Sequence, residues 1–162
     1  MNAVCEKYHD PELQALRTEV RAKSDSIKAL VRGVYVPLSE GCVTVTAIQW
    51  ALTPSANVRM RLCALDLEDP EHTVVNVVFD AEGTLGLHHQ PEQLTLFCLS
   101  GSVLEMISGK IVNEGEVLSI GPHQKIELAS TRAYLTLTWR PPLETAEVVN
   151  PYNPRNCNAK TS

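Results

Sequence analysis

An antiparallel all-β fold, either a sandwich or a small barrel, is what this sequence predicts for most of its length, with a helical segment before it. Three observations carry the prediction. Short apolar runs, roughly ten in all, follow one another with turn signals every 8–12 residues. Several alternate cleanly: between Arg132 and Trp139, residues Ala133, Leu135, Leu137 and Trp139 share one face, and Arg132, Tyr134, Thr136 and Thr138 the other. No internal repeat is visible, so one barrel is expected and not a tandem pair.

The chain has 162 residues, enough for one domain with a real core, and 44 % of them are hydrophobic. The formal net charge of -5 is unevenly spread: residues 1–32 hold six Lys and Arg against five Asp and Glu, the remainder eight against fourteen. The β-rich part is therefore acidic, which argues against a nucleic-acid partner, because phosphate binding needs a positive footprint. No run of 18 apolar residues exists, so no membrane partner is expected. The start, MNAVCEKYHDPE, lacks the apolar stretch of a secretory signal. Five cysteines, at 5, 42, 63, 98 and 157, show no zinc or redox spacing, so reduced thiols and a cytoplasmic location are expected.

In chain order, Asp10-Pro11-Glu12 is a helix start: an acidic cap, proline at the first helical position and a carboxylate in the first turn. Leu13, Leu16, Val20, Ile27 and Leu30 then form a heptad seam with Lys23 in the vacant place, and Glu19 to Lys23 is a favourable i,i+4 pair. Two readings stand: an amphipathic helix covering the barrel, or a helix paired with a partner subunit. Ser24-Asp25-Ser26 is the point at which the helix would divide, since these side chains compete for backbone hydrogen bonds. Strands are expected in VYVPL, in CVTVTAIQW (42–50), in VRMRLCALDL (58–67, with Arg59 and Arg61 on one face) and in TVVNVVF (73–79). From Leu94 to Ile120 the chain reads as a meander: LTLFCL, a Ser100-Gly101 turn, SVLEMI, a Ser108-Gly109 turn, then GEVLSI. KIEL and the strand ending at Trp139 follow, and Pro141-Pro142 stops the sheet. Trp50 and Trp139 end strands and read as packing residues. The organisation is thus a helical segment over 1–33, a barrel over 34–141 and an irregular arm over 142–162.

Residues 74–128, VVNVVFDAEGTLGLHHQPEQLTLFCLSGSVLEMISGKIVNEGEVLSIGPHQKIEL, resemble a small cupin of the RmlC-like kind, whose barrel is a double-stranded β-helix or jelly roll. Gly83-Thr84 resembles the opening of the first cupin motif and Gly101 its close. Gly115-Glu116-Val117-Leu118-Ser119-Ile120-Gly121-Pro122 resembles the second motif, with Glu for Asp and Gly for the first Pro. In metal-binding cupins a His-x-His pair, a Glu and a late His hold the ion. Counting back from Gly101, these positions fall on Leu87 and His89, on Leu94, and on Ile126, with His123 three residues early. Counting forward from Gly83 brings His88 to the first position and Glu92 or Gln93 near the carboxylate.

His88 and His89 are adjacent, so on a regular strand they point to opposite faces unless a bulge turns both inward. Glu92 follows Pro91 in a turn. A histidine, Glu92 and His123 together would suit Fe(II), Mn or Zn. Alternatively His88, His89 and His123 are mouth residues satisfied by backbone or water, or one of them serves an organic ligand in the barrel. The resemblance therefore implies two functions. One is a non-enzymatic or vestigial cupin-like protein, with a small-molecule binding or oligomeric accessory role and no cofactor firmly required. The other is a metal-dependent oxygenase or isomerase using His88 or His89, Glu92 and His123. A homodimer formed through edge strands is implied for either. No phosphate loop, Cys-His nucleophile pair or Gly-x-Ser-x-Gly elbow is present.

Overall fold

The computed structural model describes residues 10–88 and 92–146. Helix α1 (Pro11–Arg32) is followed by eleven strands: β1 (Val34–Leu38), β2 (Gly41–Val45), β3 (Ala51–Leu52), β4 (Val58–Asp66), β5 (His72–Phe79), β6 (Gly83–Leu87), β7 (Gln93–Glu105), β8 (Lys110–Asn113), β9 (Val117–Ile120), β10 (Ile126–Ser130) and β11 (Ala133–Arg140). Asp10 caps α1 as its sequence predicts, its carboxylate accepting from the Glu12 N–H at 3.0 Å. The Ser24-Asp25-Ser26 segment does not divide the helix, which runs unbroken to Gly33, where the Gly33 N–H donates to Ala29 O at 2.7 Å. Glu19 and Lys23 pair at 3.1 Å.

All strand pairs are antiparallel, in the order β2-β1-β6-β10-β7-β11-β5-β4-β3, with β8 and β9 also on β7. The thirteen residues of β7 belong to two sheets. Gln93 to Gly101 pair with β11, and Ser102 to Glu105 pair with β8. The handover lies at Gly101, with φ +75°. Ser100-Gly101 is thus a bend within one strand, where the sequence predicts a turn between two. A turn and a strand bend make the same local demand, a residue free to take positive φ.

The two sheets close on an apolar interior. Met60 and Leu62, Val75, Val77 and Phe79, Leu94 and Leu96, and Leu135, Leu137 and Trp139 are all at most 1 % exposed. The alternation read in β11 is therefore the inside–outside alternation of the barrel wall. The start of the arm lies on the barrel: the Leu143 N–H donates to Thr73 Oγ1 at 2.9 Å, the Tyr35 N–H to Glu144 O at 3.0 Å and the Ala146 N–H to Gly33 O at 2.8 Å. Leu143 and Ala146 are buried. Cys63 is exposed and Cys98 buried, both as free thiols. Cys42 on β2 is disulfide-bonded, with a partner outside the described residues, which corrects the expectation of reduced thiols at that position. Among the described residues no helix is long and apolar enough to cross a membrane.

Candidate functional site at the barrel mouth

Three strands deliver described positions at which the sequence resemblance places metal ligands. Leu87 ends β6 and stands in register with Ile126 at the start of β10 and with Leu38 on β1. Leu94 enters β7 opposite Ile120 of β9 and Trp139 of β11. Leu87 and Leu94 are fully buried and Ile126 is 1 % exposed. Inward parity at these places thus selects side chains with no donor atom. Each is apolar where a cation would need nitrogen or oxygen. A divalent metal does not fit this donor set.

The predicted ligands fall elsewhere in the chain. His88 follows β6, is exposed, and its backbone N–H donates to Pro37 O at 3.3 Å. His89 lies outside the described residues. His123 is exposed in the β9–β10 turn with φ +64°. Glu92, just before β7, is half-buried; its Oε2 is shielded from solvent without a hydrogen-bond partner. Burial pushes the Glu92 carboxyl above the usual range, and a bond from its own backbone N–H opposes this only in part. Among the described residues no three His, Cys, Asp or Glu side chains are grouped so as to hold a metal ion.

One ionisable residue inside the wall escaped sequence reading. Glu105 ends β7 at the same inward parity as Val103 and is 4 % exposed. Its Oε2 accepts from the Ser108 N–H and hydroxyl at 2.6 and 2.7 Å, and its Oε1 from the N–H groups of Ile107 and Glu127 at 3.3 Å each. Burial alone would raise this carboxyl. The donors from Ser108, Glu127 and Ile107 outweigh burial and hold it below the usual range. All four acceptor positions are taken, so Glu105 ties the β7–β8 turn to β10 and is not poised as a base. Glu105→Gln is expected to cost about 1–3 kcal/mol, because an amide cannot accept from all these donors. The native carboxyl titrates below the unfolded one, so its stabilisation is complete above the unfolded pKa and is lost as pH falls through the native value. Urea midpoints of Glu105→Gln should therefore vary less below pH 5 than those of the parent protein.

Beside Glu105 lies a cleft of about 410 Å³ between β8, β9 and β10. Leu118, Ile120 and Ile126 supply an apolar floor; Lys110, Gln124 and Lys125 line its rim. Lys125 also pairs with Glu127 at 3.1 Å. On the outer face of the other sheet, Arg59 and Arg61 share one side of β4, as predicted, and lie over the Trp50 ring at 5.2 and 4.8 Å from its centroid. Tyr134 meets Trp50 edge-on at 6.5 Å, and Arg59 pairs with Asp80 through both carboxylate oxygens.

The architecture has a counterpart among solved structures. An RmlC-like cupin from Shewanella frigidimarina NCIMB 400 superposes with a TM-score of 0.50, covering 63 % of this chain and 94 % of that one at 15 % identity. This chain has the cupin fold. Two other similar structures are ectoine synthase from P. lautus (TM-score 0.48, 15 % identity, 59 % of this chain and 70 % of that one) and the polyketide cyclase RemF from Streptomyces resistomycificus (TM-score 0.48, 15 % identity, 67 % and 86 %). No protein-family model and no curated protein sequence matches the chain. At this identity the likeness fixes the architecture of the cupin barrel and not its chemistry.

Proposed function

We propose that this cupin is a metal-independent binding or accessory protein, whose barrel interior serves as a structural core. The observation that carries the reading is the apolar set Leu87, Leu94 and Ile126, all buried at the positions where the family pattern calls for donors. A small molecule would sit in the cleft beside β8, β9 and β10. Its apolar floor and two rim lysines suit a compact organic body bearing an acidic group.

A second reading keeps one observation in its favour. The buried, unpartnered Glu92 Oε2 is the kind of atom a cation would satisfy, and His88 or His89 with His123 would have to complete a site of the Fe, Mn or Zn type. Elemental mass spectrometry on untagged protein, before and after reconstitution with iron, manganese and zinc, separates the two. The proposal expects well below one equivalent of each metal, unchanged in a His88→Ala/His89→Ala variant. Near one equivalent in the parent protein, lost in that variant and in Glu92→Gln, would establish the metal reading in its place.

A further inference from the structure

On the outer face of the sheet that joins β7 to β11 lies a groove of about 360 Å³. It is lined by Gln93 and Thr95 of β7 and by Thr138 and Arg140 of β11. The two strands set these side chains in register, Thr95 opposite Thr138 and Gln93 opposite Arg140. Directly opposed side chains start about 5 Å apart, and positions two apart along a strand about 7 Å. The four therefore stand at the corners of a small rectangle. Their backbone is fixed from beneath, because the alternate residues Leu94, Leu96, Leu137 and Trp139 are fully buried.

The chemistry of this groove is one-sided. Each lining side chain carries an N–H or O–H donor, and no carboxylate lines it among the described residues. Among the described residues none of the four side chains has a hydrogen-bond or ion-pair partner. Arg59 and Lys125, by contrast, are already paired with Asp80 and Glu127. A guanidinium offers its donors in a planar fork that matches a carboxylate or a phosphate. The two threonine hydroxyls and the Gln93 amide can each donate and accept, which suits the hydroxyls of a polyol. No aromatic or aliphatic residue lines the groove, so an apolar ligand would gain little by entering it. Its volume lies at the lower end of the range for ligand pockets, about 300–1,000 Å³, which admits a body of hexose size. We propose that this groove binds a small hydroxylated anion, a sugar acid or a sugar phosphate. Arg140 takes the oxyanion, and Thr95, Thr138 and Gln93 take the hydroxyls. The inference goes beyond the proposed function: the groove is outside the barrel wall, apart from the cleft at the mouth and from any metal.

For a ligand of this size held on an open surface, a Kd of about 0.1–1 mM is expected. Amide NMR spectra of the isotope-labelled full chain test it, in separate titrations with glucuronate, glucose-6-phosphate, glucose and inorganic phosphate. At least one of the two hydroxylated anions should saturate in that range, and the tighter of them tells a sugar acid from a sugar phosphate. Glucose and inorganic phosphate should bind at least about tenfold more weakly, since each offers only half of the recognised groups. The shifted amides should centre on Gln93, Thr95, Thr138 and Arg140. Arg140→Gln and Thr95→Val/Thr138→Val should each weaken binding at least about tenfold. Their Tm values should lie within about 3 °C of the parent's, since these side chains hold no other group. Lys110→Gln/Lys125→Gln, at the mouth cleft, should bind as the parent does. No saturable shift with either hydroxylated anion overturns the proposal. So does inorganic phosphate that binds as tightly as they do, binding that survives Arg140→Gln, or binding lost in Lys110→Gln/Lys125→Gln.

Discussion

Gly101→Ala is expected to destabilise the protein by about 3 kcal/mol or more, one of the largest losses available from adding a single methyl group. Two costs combine. The residue holds φ +75°, a region that costs an L side chain about 1–2 kcal/mol. A methyl group there would also lie 2.2 Å from Arg132 O and 3.0 Å from Ala133 Cα, both rigid backbone. Relief requires β7 and β11 to separate at the point where β7 passes from one sheet to the other, so the damage reaches both halves of the barrel. Gly109→Ala is the control. It has nearly the same dihedral, φ +74°, but nothing within 4 Å of the added carbon, and should cost only about 1 kcal/mol. Urea unfolding of both variants tests the argument. Equal losses would mean that the dihedral alone matters and that the close approach at Gly101 is absorbed.

That glycine also shows what a one-dimensional reading resolves. Alternation in β11 and the branched runs of β4 and β5 disclosed the barrel, because a period of two is fixed by the backbone itself. Ser100-Gly101 has the composition of a turn, and only its partners in β11 and β8 make it a bend in one long strand. The heptad in α1 was equally legible, but which face meets the barrel depends on where Gly33 delivers the chain into β1. Ser24-Asp25-Ser26 leaves the helix whole, since Ser26 lies on the barrel side beside Ala22 and Ala29. Glu105 could have been found: it is a charge at inward parity in the alternating run SVLEMI, three residues before a serine able to donate to it. The disulfide at Cys42 had no spacing signal, because pairing depends on the folded chain and not on sequence separation. At the mouth, three of the positions reached by counting back from Gly101, Leu87, Leu94 and Ile126, are buried, and the fourth, His89, lies outside the described residues. His88, reached by counting forward from Gly83, is exposed.

Leu94→Glu, which restores the carboxylate that the family pattern places at this position, is expected to cost at least about 4 kcal/mol and may be compared directly with Leu94→Ala at about 2–5 kcal/mol. Leu94 is fully buried between Ile120 and Trp139 in register, and Leu96 continues the same inward row. A carboxylate there would face hydrocarbon on both flanks, so it would be held protonated, with its pKa well above the unfolded value near 4.3. The sign of the pH dependence follows. A raised native pKa makes the variant least unstable below the unfolded pKa, and its deficit relative to the parent grows as pH rises toward the native value. Differences in urea midpoint between parent and variant from pH 4 to pH 8 measure this directly. The same variant bears on function. If the interior is a structural core, adding zinc or iron should leave the deficit unchanged, since Leu87 and Ile126 offer the new carboxylate no companion ligand. Recovery of several kcal/mol on adding metal, by contrast, would show that histidines at the mouth can reach inward to it. The barrel would then be a metal site lacking one ligand, and the metal-independent reading would fail.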